Sequence, residues 1–258
     1  MGDKTFDGQG VVILGGTAGV GLESAVRFCA QGARVALIGR NEERGRNACA
    51  VVRERAPEAD VQFIRADAVH TDDAVRAAEE AEKRLGAIEV LMCTTGPSEP
   101  PRLLHKIPIG NVRLRIEEIM LPPLHMMHAV LPMMRARGQG AIVNVASDAA
   151  KFATPGETLI GAAMAAIVMF SRAAAVEAKR DGVRINLLTP SLIAGTPGAE
   201  LIAGDPFANK MFEKAAGLAH LGVADAADLA EAALFLAGPS ARRITGQALS
   251  VNGGISVG

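Results

Sequence analysis

The sequence predicts a single-domain, doubly wound α/β fold, and three observations carry that expectation. Short apolar runs recur along the chain, and most are followed by a segment with helical periodicity. The runs are continuous rather than alternating, as strands are when helices cover both faces of a parallel sheet. Glycines cluster directly after the first run, where a strand has to turn sharply into a helix. With 258 residues, 49% of them apolar, the chain can bury the core that this fold needs.

The elements follow in order. GVVILGG at 10–16 reads as a strand, and a helix over about 19–31 turns Val20, Ala25 and Phe28 inward. ARVALIG at 33–39 is a second strand, and a charged helix at 41–56 stops before Pro57. VQFIRAD at 61–67 is a third strand, succeeded by a polar-faced helix over 72–85. IEVLMCTTG at 88–96 is a fourth. A long helical region over 111–137 is expected to break or kink at Pro122-Pro123. AIVNVAS at 141–147, a buried helix over 157–180 and VRINLLTP at 183–190 come next. Residues 191–217 read as a loop with one or two short helices and as a substrate lid. A helix at 225–237 and a strand at 248–253 close the chain, with no repeat or linker to divide it.

Composition excludes several classes. Lys+Arg (27) nearly balances Asp+Glu (28), so no excess of positive charge argues for nucleic acid or an anionic membrane surface. The N-terminus shows no export pattern, and no run of about 18 uncharged apolar residues suggests a membrane span. Cys29, Cys49 and Cys93 lie on apolar segments without ligand spacing and read as reduced core thiols, in keeping with a cytoplasmic location. His125 and His128 share a helix face, but with no third ligand evident no metal is expected.

Gly15, Gly19 and Gly21 follow the first strand and open the first helix. Glycine there permits a tight turn, lets a pyrophosphate approach the backbone and allows close helix–strand packing. The helix N-terminus adds unpaired amides for the phosphates. The second strand ends at Ile38-Gly39-Arg40. An acid at that point would bind the 2′-hydroxyl of NAD. Arg40 instead offers a guanidinium fork for a 2′-phosphate, which points to NADP(H). Asp67, ending the third strand, is placed to accept the adenine amino group or to serve as an ordinary strand-end turn residue.

With these features the chain resembles the short-chain dehydrogenases/reductases over essentially its full length. The glycine motif matches, with Leu14 where a threonine is usual. Cys93-Thr94-Thr95-Gly96 stands in place of the usual NNAG. IVNVAS at 142–147 matches the fifth strand, and RINLLTPSLI at 184–193 resembles RVNAIAPGxI, with Ser191 replacing its glycine. ITGQALSVNGG at 244–254 resembles the C-terminal segment. The resemblance implies a seven-stranded Rossmann sheet. It also implies a cofactor held by Gly15, Thr17, Gly19, Val20, Gly21, Arg40, Asp67, Thr94, Gly96, Pro190 and the Ile193 backbone. It further implies a homodimer or homotetramer, with the long helices at 111–137 and 157–180 forming one interface.

The family's catalytic set is a serine, a Tyr-x-x-x-Lys pair and an asparagine. Ser147 fits the serine and is expected to fix the substrate oxygen. Thirteen residues on, the tyrosine slot holds Ile160 and the lysine slot Met164, while the asparagine slot falls near Ile119 or Met120. The chain contains no tyrosine at all. Loss of a general acid costs roughly 10²–10⁴ in rate. A pocket lined by Ile160, Met164 and Met120 is expected to take a small apolar substrate. Asp148, Lys151, Glu157, His105, His125 and His128 are the other groups in reach of a proton role. Two functions follow: an NADP(H)-dependent oxidoreductase with an atypical site, or an inactive relative that senses cofactor, binds a ligand or partners an active subunit.

Overall fold

A computed structural model describes residues 4–258. Its first half comprises β1 (Gly10–Leu14), α1 (Gly19–Ala30), β2 (Arg34–Gly39), α2 (Glu42–Arg55), β3 (Asp60–Arg65), α3 (Thr71–Leu85) and β4 (Val90–Cys93). The second half comprises α4 (Val112–Arg137), β5 (Gly140–Val145), α5 (Thr158–Ala178), β6 (Val183–Thr189), α6 (Pro197–Ala203), α7 (Pro206–Ala216), α8 (Ala226–Ala237) and β7 (Ala248–Ser250). The strands form one sheet of seven in the order β3-β2-β1-β4-β5-β6-β7, and every pairing is parallel. This is the doubly wound Rossmann arrangement, with the strand order reversing between β1 and β4.

The strands take their continuous apolar character from this layering. Val11 and Ile13 face one side of β1 with Phe28, Val35 and Leu37, against α1, α2 and α8. Val12 and Leu14 face the other side with Ala36, Ile38 and Leu91, against α3, α4 and α5. α3 carries this out with alanines: Ala74, Ala77, Ala78 and Ala81 are all fully buried, so the helix lies close on the sheet.

The proline pair does not break the long helix, although a break or kink was expected there. α4 runs unbroken through Pro122, Pro123 and Pro132. Proline removes an amide donor and disfavours the preceding turn, but Ile119, Pro122, Pro123, Met126 and Met127 form a buried face. Packing of that face overrides the local preference. α5 is long and apolar enough to cross a membrane, with mean hydropathy 1.9 over a window in Thr158–Asp181. In this fold it packs against α4 and β6. The segment after β6 holds two helices, α6 and α7, capped by Thr196 and Asp205 respectively.

Candidate active site

The site lies at the C-terminal ends of β1, β4, β5 and β6, where the strand order reverses. Its floor is the glycine turn. Gly15 and Gly19 have φ of +79° and +50°, conformations that side chains rarely adopt. Gly21 is needed for space: a Cβ there would lie 2.4 Å from the Gly15 carbonyl oxygen and 2.6 Å from Thr94 Oγ1. Thr94 Oγ1 donates to the Leu14 and Gly15 carbonyls at 3.0 and 3.2 Å, pinning β4 to the turn. α1 starts with no capping side chain and no acid in its first turn. Its first amides therefore remain free for an anion. A backbone cradle too tight for any side chain, under an uncapped helix N-terminus, fits a dinucleotide pyrophosphate.

From this floor a cavity of about 330 Å³ runs to Ser147. Gly15, Gly19, Val20, Thr94, Gly96, Ser147, Pro190 and Ile193 all line it, as do Ile160 and Met164. Four other candidates lie elsewhere. Gly21 is packed beneath the turn. The Thr17 methyl lies beside Gly39 at the end of β2. Arg40 is exposed at that same strand end. Asp67 accepts a hydrogen bond from the Val69 amide at 3.2 Å, the local turn role. Met120 does not line the cavity; it packs with Ile119, Ile160 and Met164 in a small apolar cluster behind it.

The structure adds residues that sequence reasoning missed. Arg65, at the end of β3, donates to the Arg40 carbonyl at 3.3 Å and brings a second guanidinium there. Among the described residues no carboxylate pairs with Arg40, Arg44 or Arg65 within 4 Å. Their adjacency comes from the β2–β3 register, Gly39 opposite Arg65. Thr95, in the same run as Thr94, has a buried hydroxyl with no partner and lines the cavity.

Ser147 caps a short 3-10 turn over Asp148–Ala150, its Oγ accepting from the Ala149 amide at 3.1 Å. Its hydroxyl proton stays available for a substrate oxygen. Behind it a second cavity of about 250 Å³ shares Ser147, Glu157, Ser191 and Phe212 with the first. Asp148 is buried there. It accepts from Asn252 Nδ2 and Ser256 Oγ at 2.5 and 2.8 Å, which docks the 250–258 segment under the site.

The other titratable candidates divide clearly. Lys151 Nζ donates to Ser250 Oγ and the Gly258 carbonyl, at 2.6 and 2.5 Å, and burial holds its pKa below the usual lysine value. His105 is exposed, His125 is bonded to the Ala68 carbonyl at 2.9 Å, and His128 faces a groove between α4 and α5. Glu157 alone of this set lines the cavity that begins at the glycine turn. Burial pushes its carboxyl up to about 7; the Thr154 side chain pulls it down, and the nearby Asp148 charge pushes it up again.

A parallel doubly wound sheet with a phosphate cradle at its switch point defines a dinucleotide-binding protein. The chain belongs to the short-chain dehydrogenase/reductase family. The profile described as enoyl-(acyl carrier protein) reductase matches residues 15–256. The 2,5-dichloro-2,5-cyclohexadiene-1,4-diol dehydrogenase LinX of Sphingobium indicum is 32% identical, over 97% of both chains. Momilactone A synthase of Oryza sativa subsp. japonica is 32% identical, over 97% of this chain and 90% of that one. Among solved structures, levodione reductase superposes with a TM-score of 0.91 at 25% identity, covering 96% of this chain and 98% of its own. A 7α-hydroxysteroid dehydrogenase complexed with NADH and 7-oxo glycochenodeoxycholic acid gives 0.88 at 25% identity, covering 98% and 96%. The chain is thus of the short-chain oxidoreductase type, in a family whose members bind nicotinamide cofactors.

Proposed function

We propose that this chain is an NADP(H)-dependent oxidoreductase with an atypical proton-transfer site, acting on a small, largely apolar substrate. The observation that carries the reading is one continuous cavity from the glycine turn to Ser147. The α1 amides bind the pyrophosphate, and Arg40 with Arg65 beside it takes the 2′-phosphate. Asp67 keeps its second carboxylate oxygen for the adenine amino group. Bound in this way, the nicotinamide supplies or takes up a hydride. Ser147 Oγ donates to the substrate oxygen, and Ile160 and Met164 form a dry wall beside it. Residues 191–217 form the lid, with Leu192, Leu201, Ile202 and Phe212 toward the cavity.

Relatives named for a cyclohexadienediol and a hydroxysteroid support secondary alcohols on carbocycles, or the matching ketones, as the first substrates to try. The active unit is a cytoplasmic homodimer or homotetramer, packed through the exposed face of α4 and α5 that carries Leu114, Met169 and Val176. Calorimetric titration with NADPH, NADH, NADP⁺ and NAD⁺ tests the reading. NADPH binds more tightly than NADH if it is right; no binding by any of the four overturns it.

A further inference from the structure

We propose that Glu157 exchanges the proton with the substrate at this site, from one helical turn before the slot that Ile160 fills. The inference rests on the oxidoreductase reading above and names the group that reading leaves open.

Placement carries it. Glu157 is the N-cap of α5, and Ile160 and Met164 follow at i+3 and i+7 on one helix face. All three line the cavity. That face is where the family's Tyr-x-x-x-Lys pair would stand, and here its polar member comes a turn earlier. Glu157 also lines the second cavity together with Ser147, so it borders both spaces that a substrate can occupy. The backbone beneath it is fixed: the Arg102 amide donates to the Gly156 carbonyl at 2.8 Å, and Phe207 packs over Gly156.

The neighbouring carboxylates are committed elsewhere. Glu99, on the other wall, is ion-paired with Arg115. Asp148 is held by Asn252 and Ser256. Glu157 has no ion pair among the described residues. The charged groups that share its cavities are Asp148, on the segment before α5, and Glu99, between β4 and α4; Arg102, Arg115 and Glu118 line an adjoining pocket with Gly156 and Ile160. Lys151 is engaged by Ser250 and Gly258. α7 presents only Met211, Phe212 and Ala215. Burial lets this acid keep its proton near neutral pH, which suits a group that must both give and take one.

The step balances. In the reducing direction the carbonyl carbon gains a hydride, with its two electrons, from the reduced dinucleotide. The carbonyl oxygen gains the Glu157 carboxyl proton. The products are the alcohol, the oxidised dinucleotide and the Glu157 carboxylate, which recovers a proton from water. Oxidation of the alcohol runs the same path in reverse.

The test needs no substrate. A positively charged oxidised nicotinamide ring beside Glu157 favours its ionised form, whereas the neutral reduced ring does not. NADP⁺ binding to the full-length protein therefore releases protons near pH 7, read by calorimetry in two buffers of different ionisation enthalpy. The NADP⁺/NADPH affinity ratio rises roughly fivefold between pH 6 and 8.5. Glu157→Gln abolishes both effects, and Glu157→Asp restores part of them. A glutamate remote from the nicotinamide would not move the ratio between the two nucleotides. A flat ratio in the wild-type protein, or an unchanged slope in Glu157→Gln, overturns the assignment while leaving the cofactor reading standing. Binding by neither nucleotide removes both. Were Glu157→Gln not to fold, the wild-type and Glu157→Asp titrations decide the matter.

Discussion

Replacing Gly21 with alanine places a methyl group where the structure has no room for one. The new Cβ would sit 2.4 Å from the Gly15 carbonyl oxygen, 2.6 Å from Thr94 Oγ1 and 2.9 Å from the Gly16 Cα, against an ordinary contact of 3.4 Å or more. The Gly15 carbonyl must retreat by about 1 Å, and it belongs to backbone that cannot rotate aside as a side chain would. Overpacking of this kind costs about 1–3 kcal/mol. The better helix propensity of alanine offsets up to about 1 kcal/mol of that. A net loss of about 1–2 kcal/mol lowers Tm by roughly 2–8 °C for a domain of this size. The same retreat strains the Thr94 bonds to Leu14 and Gly15 and turns the α1 amides away from the phosphate position. NADPH affinity is then expected to fall about tenfold or more, equivalent to about 1.4 kcal/mol. Gly96→Ala is the control: it lines the cavity, but nothing lies within 4 Å of its Cβ position. Its Tm should stay within the effect of about 0.5 kcal/mol. Thermal unfolding and calorimetry on both variants read the outcome. A Gly21→Ala protein as stable and as tight for NADPH as the wild type would refute the argument that the turn is closed by contact.

Other outcomes follow from the same geometry. Arg40→Ala should weaken NADPH by about tenfold while leaving NADH nearly unchanged, because only the former carries the 2′-phosphate; equal losses for both would remove Arg40 from discrimination. Ile160→Tyr with Met164→Lys should raise NADPH affinity, since both slots open on the cavity; a folded double variant that binds no better would displace these slots from the ribose. For Glu157 the folded pKa, about 7, lies above its ordinary value of 4.5. The folded state therefore binds the extra proton, so the contribution of this group to stability is full below pH 4.5 and is lost as pH rises to about 7. The decline attributable to this group is up to about 3 kcal/mol, and denaturant unfolding of Glu157→Gln at pH 5 and 8 should show a correspondingly smaller difference.

What could be read in advance was whatever a local pattern dictates. β1 and β2 announce themselves because both faces are covered, so no polar residue interrupts Gly10–Leu14 or the run from Val35 to Gly39. The glycine turn is legible because its backbone demands leave few residues to choose from. Pro122 and Pro123 misled because the proline rule is local, whereas the buried face holding α4 together is tertiary. β4 ends at Cys93, short of the expected 96, because Thr94 and Thr95 leave the sheet to line the cavity. Arg65 escaped because it is 25 residues from Arg40 and meets it only through strand register. Glu157 was one candidate among six acids, lysines and histidines; its distinction is a cavity wall assembled from several elements, which no spacing in the chain encodes.

The order β3-β2-β1-β4-β5-β6-β7 also has a consequence for how the protein comes into being. On the ribosome, β1 through β3 emerge first as a contiguous unit with near-neighbour pairings, which favours early collapse of that half. The seam between β1 and β4 joins this half to everything made later, and Thr94 reaches back across it to Leu14, 80 positions upstream. The nucleotide cleft straddles that seam, so neither half possesses it alone. A nucleotide that grips the cleft therefore selects chains in which the late half has docked, and shields them from proteases by mass action.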